Sequence, residues 1–282
     1  IYFTAGGTES DNWAIEGVAF AHRSKGNHII TSKIERHGIL HICEYLEKHH
    51  GFEVTYLDVD AEGRVKLDEL EKAIKDTTIL ISIMFANNEI GTIQPIKEIG
   101  EIAKKHNVLF HTDAVQAAGN VPIDVKELNV DLMSMSSHKI YGPKGIGALY
   151  IKTGTKLHSF VHGGAQERRR RAGTENMPSI VGYGKAAELA KTNMDEHIER
   201  LTSLRTKLID GILEKIPYTR VNGSLENRLP GNVNFSFEFI EGEGILLMLD
   251  MLGIAASSGS ACTSGSLDPS HVLMAIGLPH EI

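Results

Sequence analysis

The chain has 282 residues, of which 41% are hydrophobic and 23% are charged, with a formal net charge of −7. These proportions are typical of globular proteins, and the acidic balance argues against nucleic acid as the main partner. Two cysteines, Cys43 and Cys262, are too few for a disulfide framework, and no apolar run approaches the roughly 20 residues that cross a bilayer. We therefore expect a cytoplasmic protein with no direct membrane partner.

Short β-rich runs alternate with amphipathic segments over the first half of the chain. After an initial strand-like run, the predicted strands are 27–32, 53–59, 77–84, 108–114, 131–137 and 145–151. The predicted helices are 9–24, 37–49, 66–75 and 96–106. This alternation predicts βαβ units and a mostly parallel sheet. Because several of the strands are apolar almost throughout, we expect helices to cover the sheet on both faces.

The pattern changes from about Thr174 onward. There the predicted elements are a long helical stretch at 175–215, a strand at 232–238, a helix at 242–252 and a strand at 253–258. The sequence therefore predicts an α/β fold with a large domain at 1–190 and a smaller α+β domain at 191–282. Because the chain begins on a strand-like run without methionine and ends after a helical pattern, we expect truncation at both ends.

Two polar motifs follow predicted strands, where ligands bind in open α/β sheets. In "AGGTES" (5–10), Gly7 and Thr8 open a helix, whose free amides and dipole favour a phosphate. The alternative is an ordinary glycine turn. In "FANNEIGTIQP" (85–95), Asn87 and Asn88 are either turn formers or side-chain donors in a site.

The motif "FHTDAVQ" (110–116) places His111 and Asp113 on one face of a strand. A buried carboxylate at a strand end is costly unless it has a partner. A cationic ring nitrogen is a good partner. The alternative is that Asp113 caps the following helical turn.

The motif "SMSSHKIYGPKG" (134–145) places Lys139 directly after an apolar strand. A lysine in such a semi-buried position can form a Schiff base. Pyridoxal phosphate sites need this lysine, an acid at the ring nitrogen and a phosphate cradle. Lys139, Asp113 and the turn at Gly7 and Thr8 provide these three parts, each at the end of a predicted strand.

Six stretches of the chain resemble motifs of the cysteine desulfurases, the NifS/IscS group of the fold-type-I, class V pyridoxal phosphate enzymes. They are "GGTES", "NNEIGTIQP", "HTDAVQ", "SSHKIYGPKGIGALY", "HGGAQERRRRAGTEN" and "SSGSACTSGSLDPSHVL". The similarity extends over essentially the whole chain. It implies a seven-stranded, mostly parallel sheet flanked by helices, a smaller C-terminal domain and a homodimer.

The resemblance also implies roles for individual residues. Lys139 matches the lysine that binds pyridoxal phosphate covalently and transfers protons. Asp113 matches the acid that keeps the ring nitrogen protonated, and Gln116 matches the residue that hydrogen-bonds the phenolic oxygen. The other matches are Gly7, Thr8, Ser136 and His138 in the phosphate cradle, Thr174 for the phosphate in the partner subunit, and Asn88 near the substrate carboxylate.

One stretch, "SKIERHGIL", departs from the family pattern. In the family, a histidine that stacks on the cofactor ring directly follows the glutamate of "IEH". Here Arg36 takes that place, and His37 comes one residue later. Either the planar guanidinium of Arg36 stacks on the ring, or a one-residue shift brings in His37. We expect His37 to be the catalytic and ring-binding residue. The family's substrate-carboxylate arginine is expected beyond the end of this sequence.

The second cysteine lies in a glycine- and serine-rich loop, "SSGSACTSGS" (257–266). Cys262 matches the family's nucleophile, which takes sulfur from L-cysteine as a persulfide and leaves L-alanine. The resemblance implies transfer to an iron–sulfur scaffold or another acceptor protein, and it makes Cys262 a candidate iron–sulfur ligand. The alternatives are a selenocysteine lyase, an aminotransferase for small amino acids, or an inactive sulfur-transfer scaffold. An aminotransferase has no need of the loop thiol.

Overall fold

The computed structural model describes residues 1–258 and 270–278. The strands are β1 (Tyr2–Thr4), β2 (His28–Ser32), β3 (Glu53–Leu57), β4 (Thr78–Ser82), β5 (Leu109–Asp113), β6 (Leu132–Ser136), β7 (Gly147–Ile151), β8 (Thr219–Val221) and β9 (Phe235–Phe237). The helices are α1 (Gly7–His22), α2 (His37–His50), α3 (Leu67–Ala73), α4 (Ile96–Lys105), α5 (Gln166–Arg169), α6 (Met177–Thr192), α7 (Met194–Lys215), α8 (Gly242–Met251) and α9 (His271–Ala275). A 3₁₀ turn spans Ser137–Ile140.

Seven strands form one sheet in the order β1-β7-β6-β5-β4-β2-β3. The strands from β3 to β6 in this order pair in parallel, and β7 runs antiparallel to both β6 and β1. The predicted mostly parallel sheet is therefore confirmed. The carboxyl ends of β1, β2, β4, β5 and β6 meet at one edge, which is where an open α/β sheet binds its ligand.

Neighbouring residues in the central strands pack into different hydrophobic clusters. Ile29 and Leu80 belong to a cluster that contains Trp13 of α1. Their neighbours Ile30 and Ile81 belong to a second cluster on the opposite face. Successive side chains of a strand point to opposite faces of a sheet. The near-continuous apolar runs of β2 and β4 are therefore explained by two covered faces.

Local signals account for the ends of several helices. Helix α2 stops at Gly51, which has a φ of 67° and whose N–H bonds to Leu46 O. Glycine adopts this left-handed conformation without a steric penalty. Helix α4 has Glu98 in its first turn and Lys104 and Lys105 in its last. These charges complement the helix dipole.

Two sequence-based expectations differ from the structure. The helical stretch predicted at 175–215 is divided into α6 and α7 at Asn193, a residue type whose side chain competes for backbone hydrogen bonds. The strand predicted at 253–258 is wrong, because no strand forms there. Within the described residues β8 and β9 pair with each other, and a strand needs a neighbour for its backbone groups. The domain boundary near residue 190 stays a prediction.

Among residues 1–258 and 270–278, no helix combines the length and apolar character needed to cross a membrane.

Candidate active site

The predicted phosphate turn lies where β1 leads into α1. A Cβ atom built on Gly7 would lie 2.7 Å from Val115 Cγ2 and 3.3 Å from Arg36 Nη2. The same position lies 3.6 Å from Ser136 Cβ, at the end of β6. Because real Cβ atoms do not approach other atoms so closely, this position requires glycine. The turn, β6 and the start of α2 therefore meet at one place.

Two further cradle residues contact each other at the end of β6. Ser136 Oγ lies 2.8 Å from His138 Nδ1. Partial burial, and then the positive charges of Lys139 and Arg36, lower the pKa of His138. His138 is therefore neutral at neutral pH and is free to act as a hydrogen-bond partner. Together with the free amides of α1, this pair suits a phosphate group.

Asp113 combines the two roles that its sequence motif left open. Its carboxylate, at the end of β5, is almost fully buried. Oδ1 accepts a hydrogen bond from Val115 N at 2.9 Å, which caps the following turn. Oδ2 accepts a hydrogen bond from Arg36 Nε at 2.5 Å, and the two side chains form an ion pair. Asp113 thus caps a turn and also has a cationic partner.

Arg36 lies just before α2 and is shared between two carboxylates. Its Nη2 donates to Asp11 Oδ2 at 2.6 Å, while its Nε binds Asp113. Burial disfavours the charge of Arg36, but the carboxylates of Asp113 and Asp11 outweigh burial and raise its pKa. Arg36 therefore stays charged.

His37 lies among other histidines. Its ring centroid is 5.1 Å from that of His41 and 5.0 Å from that of His271. Within the described residues, no hydrogen bond or ion pair joins His37 to Asp113. The structure therefore brings Arg36, and not the expected His37, to the proposed ring-binding acid. The assignment of His37 to the ring stays a prediction that no contact in the structure supports.

His111 lies on the same strand as Asp113 but is held by serines. Its Nδ1 lies 2.8 Å from Ser82 Oγ, and its Nε2 lies 2.9 Å from Ser134 Oγ. Burial lowers the pKa of His111 to about 4. The ring is therefore neutral at neutral pH, and its contacts fix neighbouring strands to one another.

The adjacent asparagines have different surroundings. Asn87 is fully buried. Its Nδ2 donates to Ile34 O at 3.0 Å, and its Oδ1 accepts from Glu89 N at 2.8 Å and from Ile90 N at 3.0 Å. Asn87 is therefore a turn former. The side chain of Asn88 has no hydrogen bond within the described residues, so it remains available to a ligand.

The remaining candidate residues lie at several places around this edge. Lys139 lies in the 3₁₀ turn after β6 and lines a cavity of about 280 Å³ with Asn120 and His197. Gln116 follows β5, and its side chain has no hydrogen bond within the described residues. Thr174 is exposed and lines a separate cleft of about 220 Å³. The structure thus brings Gly7, Ser136, His138 and Asp113 together. The cleft that Thr174 lines is also lined by Ala5, two residues before Gly7.

Sequence reasoning missed two buried acids, Asp11 and Glu35. Asp11 lies on the buried face of α1, beside Ala14 and Ile15. The sequence signal that could have identified Asp11 was an acidic residue on an otherwise apolar face of a predicted helix. Glu35 Oε1 accepts hydrogen bonds from Ser32 Oγ at 2.7 Å and from Met84 N at 2.9 Å. Burial raises the pKa of Glu35 to about 8.

The predicted nucleophile and candidate iron–sulfur ligand, Cys262, lies outside the described residues. Within residues 1–258 and 270–278, no group of three or more His, Cys, Asp or Glu side chains is placed to hold a metal ion.

Comparisons with known proteins agree with this geometry. The family model for "Aminotransferase class-V" matches residues 1–278. The chain belongs to the class-V aminotransferase family. Within the family it is 66% identical to "Cysteine desulfurase IscS" of Methanosarcina thermophila over 282 residues, which cover 100% of this chain and 69% of that protein. It is 63% identical to "Cysteine desulfurase IscS" of Clostridium botulinum strain Hall, covering 100% of this chain and 71% of that protein. The resemblance to cysteine desulfurases is therefore confirmed.

Solved structures of class-V relatives agree with the fold. A "NIFS-LIKE PROTEIN" superposes with a TM-score of 0.92 at 40% identity, covering 100% of this chain and 74% of that one. The structure "SspA in complex with cysteine" superposes with a TM-score of 0.84 at 39% identity, covering 99% of this chain and 78% of that one. The expected fold class is confirmed.

Class-V enzymes of this group depend on pyridoxal phosphate, and the residues present here fit that cofactor. A phosphate can approach the backbone at Gly7, where there is no side chain. It can then bind the amides of α1 and the Ser136–His138 pair. Asp113 accepts one hydrogen bond on each oxygen, and a carboxylate has about four acceptor positions. Asp113 can therefore accept a further hydrogen bond from a ring nitrogen.

Proposed function

We propose that this protein is a cysteine desulfurase that converts L-cysteine to L-alanine and transfers the sulfur to Cys262. One observation supports this most strongly. An anion-binding turn at Gly7, a buried acid at Asp113 and the turn that carries Lys139 follow strands of one sheet. They do so in a chain that is 66% identical to a cysteine desulfurase IscS.

The cofactor-binding roles follow from the chemistry of each group. Gly7, Thr8, Ser136 and His138 would hold the phosphate, since they offer amides, hydroxyls and a neutral ring at the start of α1. Asp113 would hold the ring nitrogen, and Lys139 would bind the cofactor covalently. When bound, pyridoxal phosphate supplies an electron sink for the carbon that bears the substrate amine. Lys139 then moves protons at that carbon.

Two more polar side chains would orient the reactants. Gln116, which follows Asp113 by three residues, would donate to the phenolic oxygen of the cofactor. Asn88 would bind the substrate carboxylate, and its lack of a partner in the described residues supports this role.

The proposed sulfur transfer is balanced without an added oxidant. The Cys262 thiolate forms a bond to the sulfur of L-cysteine, while the bond from that sulfur to the substrate Cβ breaks. The electron pair of the broken bond stays on Cβ, which takes up a proton to give L-alanine, and Cys262 becomes a persulfide. A thiolate is the required nucleophile, and an added thiol later releases sulfide from the persulfide.

We further propose a cytoplasmic homodimer that passes sulfur to an iron–sulfur scaffold or another acceptor protein. The exposure of Thr174 supports the dimer, because a residue that reaches the phosphate of a partner subunit must lie at the surface of its own chain. A threonine in this position could reach the phosphate in the partner subunit. Cys262 would then also be a candidate ligand for a nascent cluster.

The test uses the full-length protein with pyridoxal phosphate, L-cysteine and a thiol reductant, and quantifies alanine and sulfide together. We expect equal amounts of both, and loss of both in Lys139→Ala and Cys262→Ala. Lys144→Ala and Cys43→Ala are matched controls, because Lys144 is exposed and Cys43 is buried in the core. Alanine formation that persists in Cys262→Ala would refute the role of the thiol. Activity with selenocysteine but not with cysteine would identify a lyase instead.

A further inference from the structure

Asp11, Arg36 and Asp113 form a buried ionic cluster below the proposed cofactor site. Arg36 donates to Asp11 at 2.6 Å and to Asp113 at 2.5 Å. The exposed fractions of the side chains are 0% for Asp11, 23% for Arg36 and 3% for Asp113. Two carboxylates therefore share one guanidinium where little water can reach them.

The titratable groups around the ionic cluster do not supply a second cation. Burial lowers the pKa of His111 to about 4 and raises that of Glu35 to about 8, so both are neutral at neutral pH. The pKa of His138, which faces Arg36, is also lowered. With both carboxylates ionised, the ionic cluster has a net charge of −1 in the part of the chain that the structure describes. Burial, and then the charge of Asp113, raise the pKa of Asp11, while the charge of Arg36 and the nearby hydroxyl of Ser134 lower it. The 2.6 Å ion pair with Arg36 is the contact that favours the charged form of Asp11.

The hydrogen bonds of Asp11 indicate a role for its charge. Its Oδ1 is buried and has no hydrogen-bond partner among the described residues. The nearest cationic candidate, His111 Nε2, lies 3.8 Å away and is neutral. An unpartnered buried oxygen is energetically costly, because it has lost its hydrogen bonds to water. Local hydrogen bonding alone therefore does not explain the presence of an acid at this position.

We propose that Asp11 is a positioning residue that supplies the second negative charge required when a protonated ring nitrogen binds Asp113. This inference rests on the proposed function, because it needs pyridoxal phosphate in the site. Arg36 alone would neutralise Asp113, and a protonated ring would then add an uncompensated positive charge to a buried site. Such a charge is strongly disfavoured. The negative charge of Asp11 neutralises the positive charge of Arg36. The negative charge of Asp113 can then neutralise the protonated ring nitrogen.

The test measures the protonation of the ring nitrogen directly. The full-length protein is loaded with pyridoxal phosphate that carries ¹⁵N in its ring, and the ¹⁵N resonance is recorded at neutral pH. We expect a protonated nitrogen in the wild type. In Asp11→Asn we expect the protonation equilibrium to fall about tenfold, which corresponds to about one pKa unit. In Arg36→Gln the nitrogen should stay protonated, because the opposing cation is gone.

The double variant D11N/R36Q separates charge from structure. If charge balance decides, removing Arg36 together with Asp11 restores the protonated resonance. If Asp11 only holds Arg36 in place, the ¹⁵N resonance of the double variant should differ from that of the wild type as much as the resonance of D11N does. Lys33→Gln is the matched control, since it breaks an exposed ion pair with Asp58 and should leave the resonance unchanged. If D11N does not fold, Asp11→Ser serves in its place, with a hydroxyl that can still contact Arg36.

Two other results would contradict the role of Asp11, and a third would contradict the proposed function. An unchanged resonance in D11N, or an unprotonated nitrogen in the wild type, would overturn the inference and leave the desulfurase proposal intact. Failure of the wild-type protein to bind labelled pyridoxal phosphate would contradict the proposed function itself.

Discussion

Arg171 binds Glu9 through two hydrogen bonds, from Nε to Oε1 at 2.8 Å and from Nη2 to Oε2 at 3.1 Å. Glu9 lies in the first turn of α1, next to the phosphate turn. Arg171 ends a run of four arginines at 168–171. Two other members of this run, Arg168 and Arg170, lie over the ring of Tyr2, at 5.7 and 5.4 Å from its centroid. The run therefore attaches the segment before α6 to the start of the proposed cofactor-binding edge.

This pairing predicts that Arg171→Lys lowers the free energy of unfolding by about 1 kcal/mol, because lysine cannot form the two-point contact. Urea denaturation measures the change. Arg169→Lys is the matched control in the same run, since Arg169 is exposed and should change stability by less than about 0.5 kcal/mol. Equal effects of the two substitutions would contradict the importance of the Glu9 contact.

The tight approach at Gly7 predicts that Gly7→Ala lowers both stability and cofactor affinity. Its Cβ would lie 2.7 Å from Cγ2 of the buried Val115, and such overpacking typically costs about 1–3 kcal/mol. Thermal unfolding and a titration of the cofactor-free protein with pyridoxal phosphate measure the two effects. Gly211→Ala is the control, because a Cβ there meets no atom within 4 Å. Because Gly211 lies in the interior of α7, Gly211→Ala should raise the free energy of unfolding by about 0.5–1 kcal/mol.

Substitution by alanine should affect different properties at the two adjacent asparagines. Asn87→Ala should lower the free energy of unfolding by about 2–4 kcal/mol, since it removes three hydrogen bonds from a buried turn. Asn88→Ala should change stability by less than about 0.5 kcal/mol and raise KM for L-cysteine. Denaturation and steady-state kinetics on both variants check this. An unchanged KM in Asn88→Ala would remove Asn88 from the substrate site.

The raised pKa of Glu35 predicts that the free energy of unfolding depends on pH. Burial raises its pKa from 4.5 to about 8, so between these values the folded protein holds a proton that the unfolded chain releases. Stability from this group is therefore lost as pH rises, by up to about 1.4 kcal/mol per pH unit. Glu35→Gln removes this dependence. Relative to the wild type, the variant should gain stability between about pH 5 and pH 8.

The control for Glu35 is Glu44→Gln, because Glu44 is exposed and pairs with Lys48 on the surface of α2. Its difference from the wild type should not grow in favour of the variant over the same pH range. Parallel pH profiles of Glu35→Gln and the wild type would show that Glu35 is ionised in the folded protein.

Much of the large domain was predictable because local periodicity reflects local burial. The strand predicted at 77–84 appears as β4, and the helix predicted at 37–49 appears as α2. The predicted strand at 253–258 failed because a strand depends on a neighbour that local sequence does not reveal. Asn193 interrupts a helical pattern within one residue, and periodicity over a longer window does not detect such a break.

Sequence patterns alone were enough to predict the order of strands and helices, the glycine turn at Gly7 and the positions of Asp113 and Lys139 after their strands. These features depend on residues that are close in the chain. The folded arrangement was needed to show that Arg36, rather than His37, contacts Asp113 and that Asp11 shares this cation. Those contacts join residues 77 and 25 positions apart. They depend on side-chain direction and on the packing of α1 and α2 against the sheet, which local patterns do not specify.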